Sequence, residues 1–319
     1  MRLRTTAPAV VATVLALLAA SACGAQSLGD DDPAPAGPAD VQLDTAPAED
    51  RAAEVINSIV PDEGLAATVP AEIRANGLKM TTSPGYPPME MFGSDGTTII
   101  GLDPSLGRAI ARKLGVRITI SDEDFNAQIP GIVTGRYDIL MSSMTDNAER
   151  RTTVKFVDYL QAGAGIITQR GNPAGIATPA DLCGKTVSVV DNGSSLELAE
   201  TYHADCTASG KPGLDILKFP GDQEALLQVT GGRAQANITD YVVATYKAAD
   251  PQLNVEAIAI DGTETLWGIA LNPQNEELVQ AVKGAVDALM ADGEYPRILQ
   301  AWGLEEIALQ GGAVVNGGE

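Results

Sequence analysis

Residues 135–158 read GRYDILMSSMTDNAERRTTVKFVD. Tyr137, Ile139 and Met141 alternate with Asp138 and Leu140, so the stretch opens as a short apolar strand. It then turns polar through Ser142, Ser143, Thr145, Asp146 and Asn147. Asp146 with Glu149 three residues on predicts a helix N-cap and its reciprocal partner. Arg150 and Arg151 fall in that first turn. A buried strand thus ends in hydroxyls beside free backbone N–H groups and a guanidinium, donors that suit a small carboxylate. The alternative is a plain strand-to-helix loop with an arginine pair on the surface.

Upstream, Leu78 to Thr82 predicts a strand, broken by SPGYPPME (83–90), where prolines hold Tyr86 as a rigid flat surface or as a cap on the core. Asp95-Gly96 marks a turn between short strands. Asp103 to Leu114 predicts a helix with Asp103 as cap, Pro104 in the first position and Gly115 as its end. Leu106, Ala109, Ile110 and Leu114 share one face of it. Val116 to Ile120 follows as a strand, and Asp124-Phe125 precedes a helix over 127–134. Strand, helix, strand, helix, strand implies a parallel sheet flanked by helices, whose ligands sit outside the carboxyl ends of the strands. Tyr86, Ser142, Ser143, Thr145 and Arg150 all follow strand ends and so converge on one rim.

Downstream, the glycine-rich strand over 162–167 reads as a crossing segment into a second α/β unit of about 100 residues. There Val187 to Val190 is a strand, Asn192-Gly193 a turn, and Ser194 or Ser195 the cap of a helix ending near Tyr202. Further strands fall at 214–219, 234–239 (ending in Asp240) and 253–260, with helices at 222–229 and 241–248. The chain closes with a strand at 266–271, a helix over 275–290 and a last helix through Trp302. The tail 311–319 is expected to be mobile.

The chain has 319 residues, 45% of them hydrophobic, enough for about two domains. Acids number 42 against 21 bases, which argues against nucleic acid as a partner. Residues 1–22 have Arg2 and Arg4 before an apolar run from Ala9 to Ala20, too short for a stable transmembrane helix, and read as a signal peptide. Removing the two arginines leaves 19 bases and a formal charge of −23. Ala20-Ser21-Ala22-Cys23 resembles a bacterial lipobox, whose cysteine is lipidated after cleavage. The usual Leu three residues before the cysteine is Ala20 here, and Ala20-x-Ala22 also suits an ordinary signal peptidase. Asp30 to Pro38 is acidic and proline-rich, so 24–49 reads as a spacer, with 50–76 partly helical. With Cys23 lipidated, Cys183 and Cys206 remain as a pair, disulfide-bonded in an oxidising compartment or buried as free thiols. One histidine, His203, expected exposed on a helix, and no CxxC pair leave too few ligands for a metal.

The whole resembles the family 3 extracellular solute-binding proteins, which feed amino acids to ABC importers. The carriers are SPGYPPME (83–90), GLDPSLGRAIARKLGV (101–116), DFNAQIPGIVTGRYDILMSSMTDNAER (124–150), GKTVSVVDNGSS (184–195), ITDYVVATY (238–246) and DGEYPRILQAWG (292–303), in register from about Val69 to Gly303. The resemblance implies an α/β two-lobe, periplasmic-binding-protein-like (type II) fold, two hinge strands and a ligand cleft between lobes that close over the ligand. It divides the chain into a signal peptide (1–22), a lipidated start and disordered tether (23–65), lobe 1 (66–163 and 264–319, with the tail) and lobe 2 (164–263). By similarity Tyr86 and Phe125 flank the ligand side chain. Ser142, Ser143, Thr145 and Arg150 form the carboxylate side, with Arg150 rather than Arg151 matched by its five-residue step from Thr145. Ser194 and Ser195 close from lobe 2, and Asp240 takes the ammonium. The expected partners are a free polar amino acid, permease subunits and, through a lipid on Cys23, the extracellular face of the cell membrane. The expected state is a monomer without cofactor. Members that take basic amino acids often carry an acid where Ser83 stands, which weakens a lysine or arginine reading, whereas Asp191 favours it. Some glutamine-binding members carry Lys at the position of Asp191. The alternatives are an enzyme on the same fold, similar to a cyclohexadienyl dehydratase with Glu90 or Asp240 as acid, and a ligand sensor for a signalling partner.

Overall fold

The strand inside the opening stretch sits in the middle of a six-stranded sheet. The structure is a computed structural model that describes residues 42–318. The expected signal peptide, Cys23 and Asp30–Pro38 lie outside the described residues. Three short helices come first, α1 (Ala53–Ser58), α2 (Glu63–Thr68) and α3 (Ala71–Asn76). Lobe 1 continues with β1 (Leu78–Thr82), the hairpin β2 (Met91–Phe92) and β3 (Ile99–Ile100), α4 (Leu102–Lys113), β4 (Ile118–Asp122), α5 (Phe125–Val133), β5 (Ile139–Leu140), α6 (Ala148–Arg151) and β6 (Lys155–Ala162). Lobe 2 holds β7 (Ala164–Gln169), β8 (Thr186–Val190), α7 (Ser194–Ala208), β9 (Asp215–Phe219), α8 (Asp222–Thr230), β10 (Ala236–Asp240), α9 (Tyr241–Ala249) and β11 (Val255–Ala259). The chain returns to lobe 1 as β12 (Thr265–Leu271), α10 (Glu276–Ala291), α11 (Glu294–Trp302) and β13 (Val314–Val315).

The first sheet has the order β13-β6-β12-β5-β1-β4 and the second β11-β7-β10-β8-β9. β1 pairs parallel with both β4 and β5, the outcome of short βαβ units. β12 and β6 run antiparallel because the chain leaves and re-enters the sheet there. The crossings lie at Gly163 and between Ala259 and Thr265. Thr263 Oγ1 accepts from the Ala164 N–H at 2.8 Å, and Gly163 O accepts from Tyr241 N–H at 2.8 Å, so the two crossing segments are tied to each other and to α9. Lobe 1 buries Leu106, Ile110, Ile139, Trp267 and the inner faces of α10 and α11; lobe 2 has its own core around Ile166, Val187, Val189 and Ile238.

Several local expectations are corrected. The tether does not extend to residue 65, because Ala46, Ala52, Ile56 and Ile59 pack into the lobe 1 core and the buried Asp50 pairs with Arg108 and accepts from Ser105. Asp103 does not cap α4. Gly101 stands at the N-cap, and Asp103 is turned inward to accept from Ser143 and Tyr159. Asp146 does not cap α6 either: Asn147 does, accepting from Arg150 N–H at 2.9 Å, while Asp146 takes the Arg151 guanidinium. α7 starts from Gly193 without a serine cap and runs past Tyr202 to Ala208, where Cys206 is anchored. The tail is docked. β13 pairs with β6, Asn316 Oδ1 accepts from Phe156 N–H, and Gly317 N–H donates to the buried Asp158. His203 is exposed on α7, its ring nitrogen 2.9 Å from Leu214 O.

Cys183 and Cys206 are joined as a disulfide that fastens α7 to the turn before β8. Closing that loop constrains the unfolded chain by about 3 kcal/mol. The double variant Cys183→Ser, Cys206→Ser is therefore expected to unfold at lower denaturant, by about that free energy. A midpoint unchanged from the oxidised parent contradicts this. Among the described residues no helix is long and apolar enough to cross a membrane.

Candidate functional site

The carboxyl ends of both sheets open on one cavity of about 300 Å³ between the lobes. Lobe 1 contributes the loop after β1 (Ser83, Tyr86, Glu90), the start of α5 (Asp124, Phe125) and the loop after β5. Lobe 2 contributes the first turn of α7, the end of β9 with the start of α8, and the end of β10. Tyr86, Phe125, Ser142, Ser143, Thr145, Arg150, Ser194, Ser195 and Asp240 all line it. Asp191 does not; it stands at the end of β8 with its N–H bonded to Phe219 O at 2.7 Å.

Arg150 is held by Thr145 O (2.9 Å, from Nη1) and, across the cleft, by Asn192 O (2.9 Å, from Nη2). Its guanidinium carbon lies 5.8 Å from the centre of the Phe125 ring. Among the described residues no carboxylate lies within ion-pair distance of it. Burial lowers its pKa, against the more distant charges of Glu197, Glu149 and Asp240. Arg151 points elsewhere, with Nε and Nη2 on Asp146 at 2.6 and 3.0 Å. A half-buried fork bonded only to carbonyls keeps its charge available for an anion.

Opposite it, Tyr86 reaches from lobe 1 to lobe 2. Its hydroxyl donates to Asp240 Oδ2 at 2.6 Å, accepts from Asp240 N–H at 3.1 Å and lies 2.9 Å from Thr239 Oγ1. Burial pushes Asp240 up to about 6, and the Tyr86 hydroxyl and Arg150 hold it from rising further. Burial and then the Asp240 charge raise Tyr86 well above the usual phenol range. Below them Asp222 accepts from Thr239 at 3.1 Å and pairs with the buried Lys247, whose ammonium is 5.9 Å from the centre of the Tyr86 ring. Two further bonds join the lobes, Asn147 Nδ2 to Glu197 Oε1 and Asn192 Nδ2 to Asn126 Oδ1, both 3.0 Å.

The floor is the Ser142–Ser143 step. Ser143 has a φ of 49°, in the left-handed region that a non-glycine residue enters only when held there. The hold is Asp103, which accepts from both Ser143 N–H (2.6 Å) and Ser143 Oγ (3.2 Å). Ser142 Oγ accepts from Ser83 N–H at 3.1 Å and donates to Glu90 Oε1 at 2.9 Å. Sequence reasoning missed the acids on the wall. Asp122, Asp124, Asp222 and Glu224 join Glu90 and Asp240 there, against the single cation Arg150 among the lining residues. Their common signal is position: each lies on or directly after a strand end, or in the first turn of a helix that follows one. A cleft with a fork on one side, a buried carboxylate on the other and an acidic rim suits a zwitterion with an additional positive charge.

The sequence profile of the bacterial extracellular solute-binding proteins, family 3, matches residues 78–305. The chain is 33% identical over 258 residues to the arginine-binding protein ArgT of Corynebacterium glutamicum, spanning 78% of this chain and 82% of that one. It is 28% identical to the ABC transporter arginine-binding protein 1 of Escherichia coli K12, over 72% of this chain and 91% of that one. Among solved structures, an ancestral arginine-binding protein bound to arginine superposes with a TM-score of 0.65 at 30% identity, covering 70% of this chain and 97% of that chain. These relatives are named for binding rather than turnover, and the solved structure shares the fold described above. The chain belongs to family 3 of the bacterial extracellular solute-binding proteins.

Proposed function

We propose that this chain is the extracellular substrate-binding component of an ABC importer and that its ligand is a cationic amino acid, with L-arginine the first candidate. The observation that carries the choice of ligand is the acidic cleft wall, where among the described residues Asp122, Asp124, Glu224 and Asp240 have no ion-pair partner and Arg150 is the one lining cation. The relatives named for arginine point the same way. On this reading Arg150, Thr145 and Ser143 serve the α-carboxylate, and Ser194 and Ser195 close on it from lobe 2. Asp240 answers the α-ammonium, Tyr86 and Phe125 flank the side chain, and the rim acids Asp122 and Asp124 supply the negative charge that Ser83 does not. A zwitterion bound between partners on opposite lobes makes the ligand itself part of the closure. Delivery to a permease follows from hinge closure, and Cys23 carries a lipid that keeps a monomeric protein at the extracellular face of the membrane.

Thermal unfolding against the twenty amino acids tests the ligand class. A ligand at one hundred times its Kd adds about 2.7 kcal/mol, a shift of several degrees. Arginine and lysine are expected to give the largest shifts; shifts confined to neutral or acidic amino acids overturn the cationic reading. Metabolic labelling with a radioactive fatty acid tests the anchor, with label expected on the parent and absent from Cys23→Ala.

A further inference from the structure

The floor of the cleft holds two carboxyl groups to which the assignments above give no task. Glu90 ends the loop after β1, and Asp103 lies in the first turn of α4. Gly101 brings them together. It has a φ of 135°, and a Cβ there would stand 2.2 Å from Met89 O, so the helix start packs directly on the loop. Asp103 N–H then donates to Met89 O at 3.0 Å. Glu90 is 1% exposed and Asp103 fully buried. Each holds one residue of the serine step, Glu90 Oε1 through the Ser142 hydroxyl and Asp103 Oδ2 through the Ser143 N–H and hydroxyl. Asp103 Oδ1 accepts from Tyr159 at 2.5 Å. The remaining oxygen, Glu90 Oε2, is buried and accepts from no donor among the described residues, and the Glu90 and Asp103 carboxyl groups lie within hydrogen-bonding reach of each other. Glu90 also lines the cavity.

The ionisable groups that face this pair are Tyr159 of β6, with Tyr295 of α11 behind it, Tyr86 on the Glu90 loop and Asp240 of β10. None of these is a cation, and among the described residues no Lys or Arg pairs with Glu90 or Asp103. Two carboxylates in one dry site do not both ionise, and a buried acceptor oxygen without a donor is costly unless it carries a proton of its own. We propose that Glu90 and Asp103 hold one proton between them, and that a ligand ammonium entering the cleft displaces it, making Glu90 a charge-switched residue of the site. The Glu90 O–H bond breaks, its electron pair stays on the carboxylate, and the proton passes to solvent.

Three donors from Tyr159 and Ser143 favour the charge on Asp103, whose pKa burial raises only to about 6. Glu90 has one donor, Ser142, and burial with the Asp103 charge raises it well above the usual range. The proton therefore resides on Glu90. The displacement rests on the reading that the ligand carries an ammonium group; the shared proton does not. Binding that releases a proton strengthens as pH rises, by up to about tenfold per pH unit while the pair is protonated.

The test has two readouts at pH 7.5, above the range in which Asp240 titrates. Difference infrared spectra of the free protein, parent minus Glu90→Gln, are expected to show the stretch of a buried protonated carboxyl. Titration with L-arginine in two buffers of different ionisation enthalpy is expected to show about one proton released by the parent and none by Glu90→Gln or Asp103→Asn. No protonated-carboxyl band in the parent overturns the pair, and so does a proton release that both variants retain. Should Glu90→Gln fail to fold, Asp103→Asn serves as the reference for both readouts. If L-arginine and the other amino acids give no binding heat, the amino-acid reading and the displacement fall together, and the infrared band still decides whether the proton is held.

Discussion

Arg150→Ala is expected to weaken amino-acid binding by at least about 30-fold, the loss of a charge-assisted pair of roughly 2–5 kcal/mol. The guanidinium is half-buried, bonded to two carbonyl oxygens and unmatched by a carboxylate among the described residues. Its desolvation is a cost to the free protein that the variant relieves, at the loss of the two bonds to Thr145 O and Asn192 O. These changes oppose each other, so the melting temperature of the free protein should move by only a few degrees. Calorimetric titration and thermal unfolding together separate the outcomes. Lost affinity at a nearly constant melting temperature assigns Arg150 to the ligand. Unchanged affinity removes it from the site, and parallel collapse of both makes it a structural bridge between lobes. Arg150→Lys should recover only part of the loss, because a point charge does not reproduce the planar fork.

The second large effect concerns Asp240. Asp240→Asn is expected to weaken a zwitterionic amino acid by on the order of 30-fold or more, and its deaminated analogue far less. Equal losses would mean that Asp240 does not meet the ammonium. The same substitution should stabilise the free protein. Burial raises Asp240 to about 6 from an ordinary value of 3.8, so the folded state holds the proton more tightly than the unfolded chain. The contribution of Asp240 to stability is then greatest below about pH 4, falls between 4 and 6, and stays reduced at neutral pH. Asparagine can still accept from Tyr86 and carries no charge to desolvate, so a gain on the order of 1 kcal/mol is expected at pH 7. Affinity depends on pH in the opposite sense. As pH drops through 6 the ammonium meets a neutral acid and binding of the parent weakens, whereas Asp240→Asn should lack that step.

The strand-helix order and the convergence of Tyr86, Ser142, Thr145 and Arg150 were legible because both follow from local periodicity and from the rule that open α/β sheets bind at their carboxyl ends. Helix caps were less legible. Asp103, Asp146 and the pair Ser194–Ser195 all precede helical runs, yet none caps one. Asp103 is claimed by Ser143 and Tyr159, Asp146 by Arg151, and Gly193 takes the cap of α7. A cap signal in sequence registers the side chain's capacity to accept but not the tertiary donor that competes for it. Residues 42–49 read as a continuation of the proline-rich spacer, and 50–65, though partly helical, as part of the same tether. Only the placement of Ala52, Ile56 and Ile59 on the lobe 1 core distinguishes them from it. The docked tail was hidden for the same reason, since its partner Asp158 is distant in sequence. The acidic rim escaped notice because Asp122 and Asp124 of lobe 1 meet Glu224 of lobe 2 only where the two lobes line one cavity.

The measurement that bears most directly on the central claim is calorimetric titration of the domain from residue 42 onward, refolded free of any carried ligand, with L-arginine, L-lysine, L-glutamine and L-glutamate. One-to-one binding of L-arginine or L-lysine, tighter than that of the neutral and acidic amino acids, is the predicted result. Preference for L-glutamate, or no heat with any of the four, contradicts it.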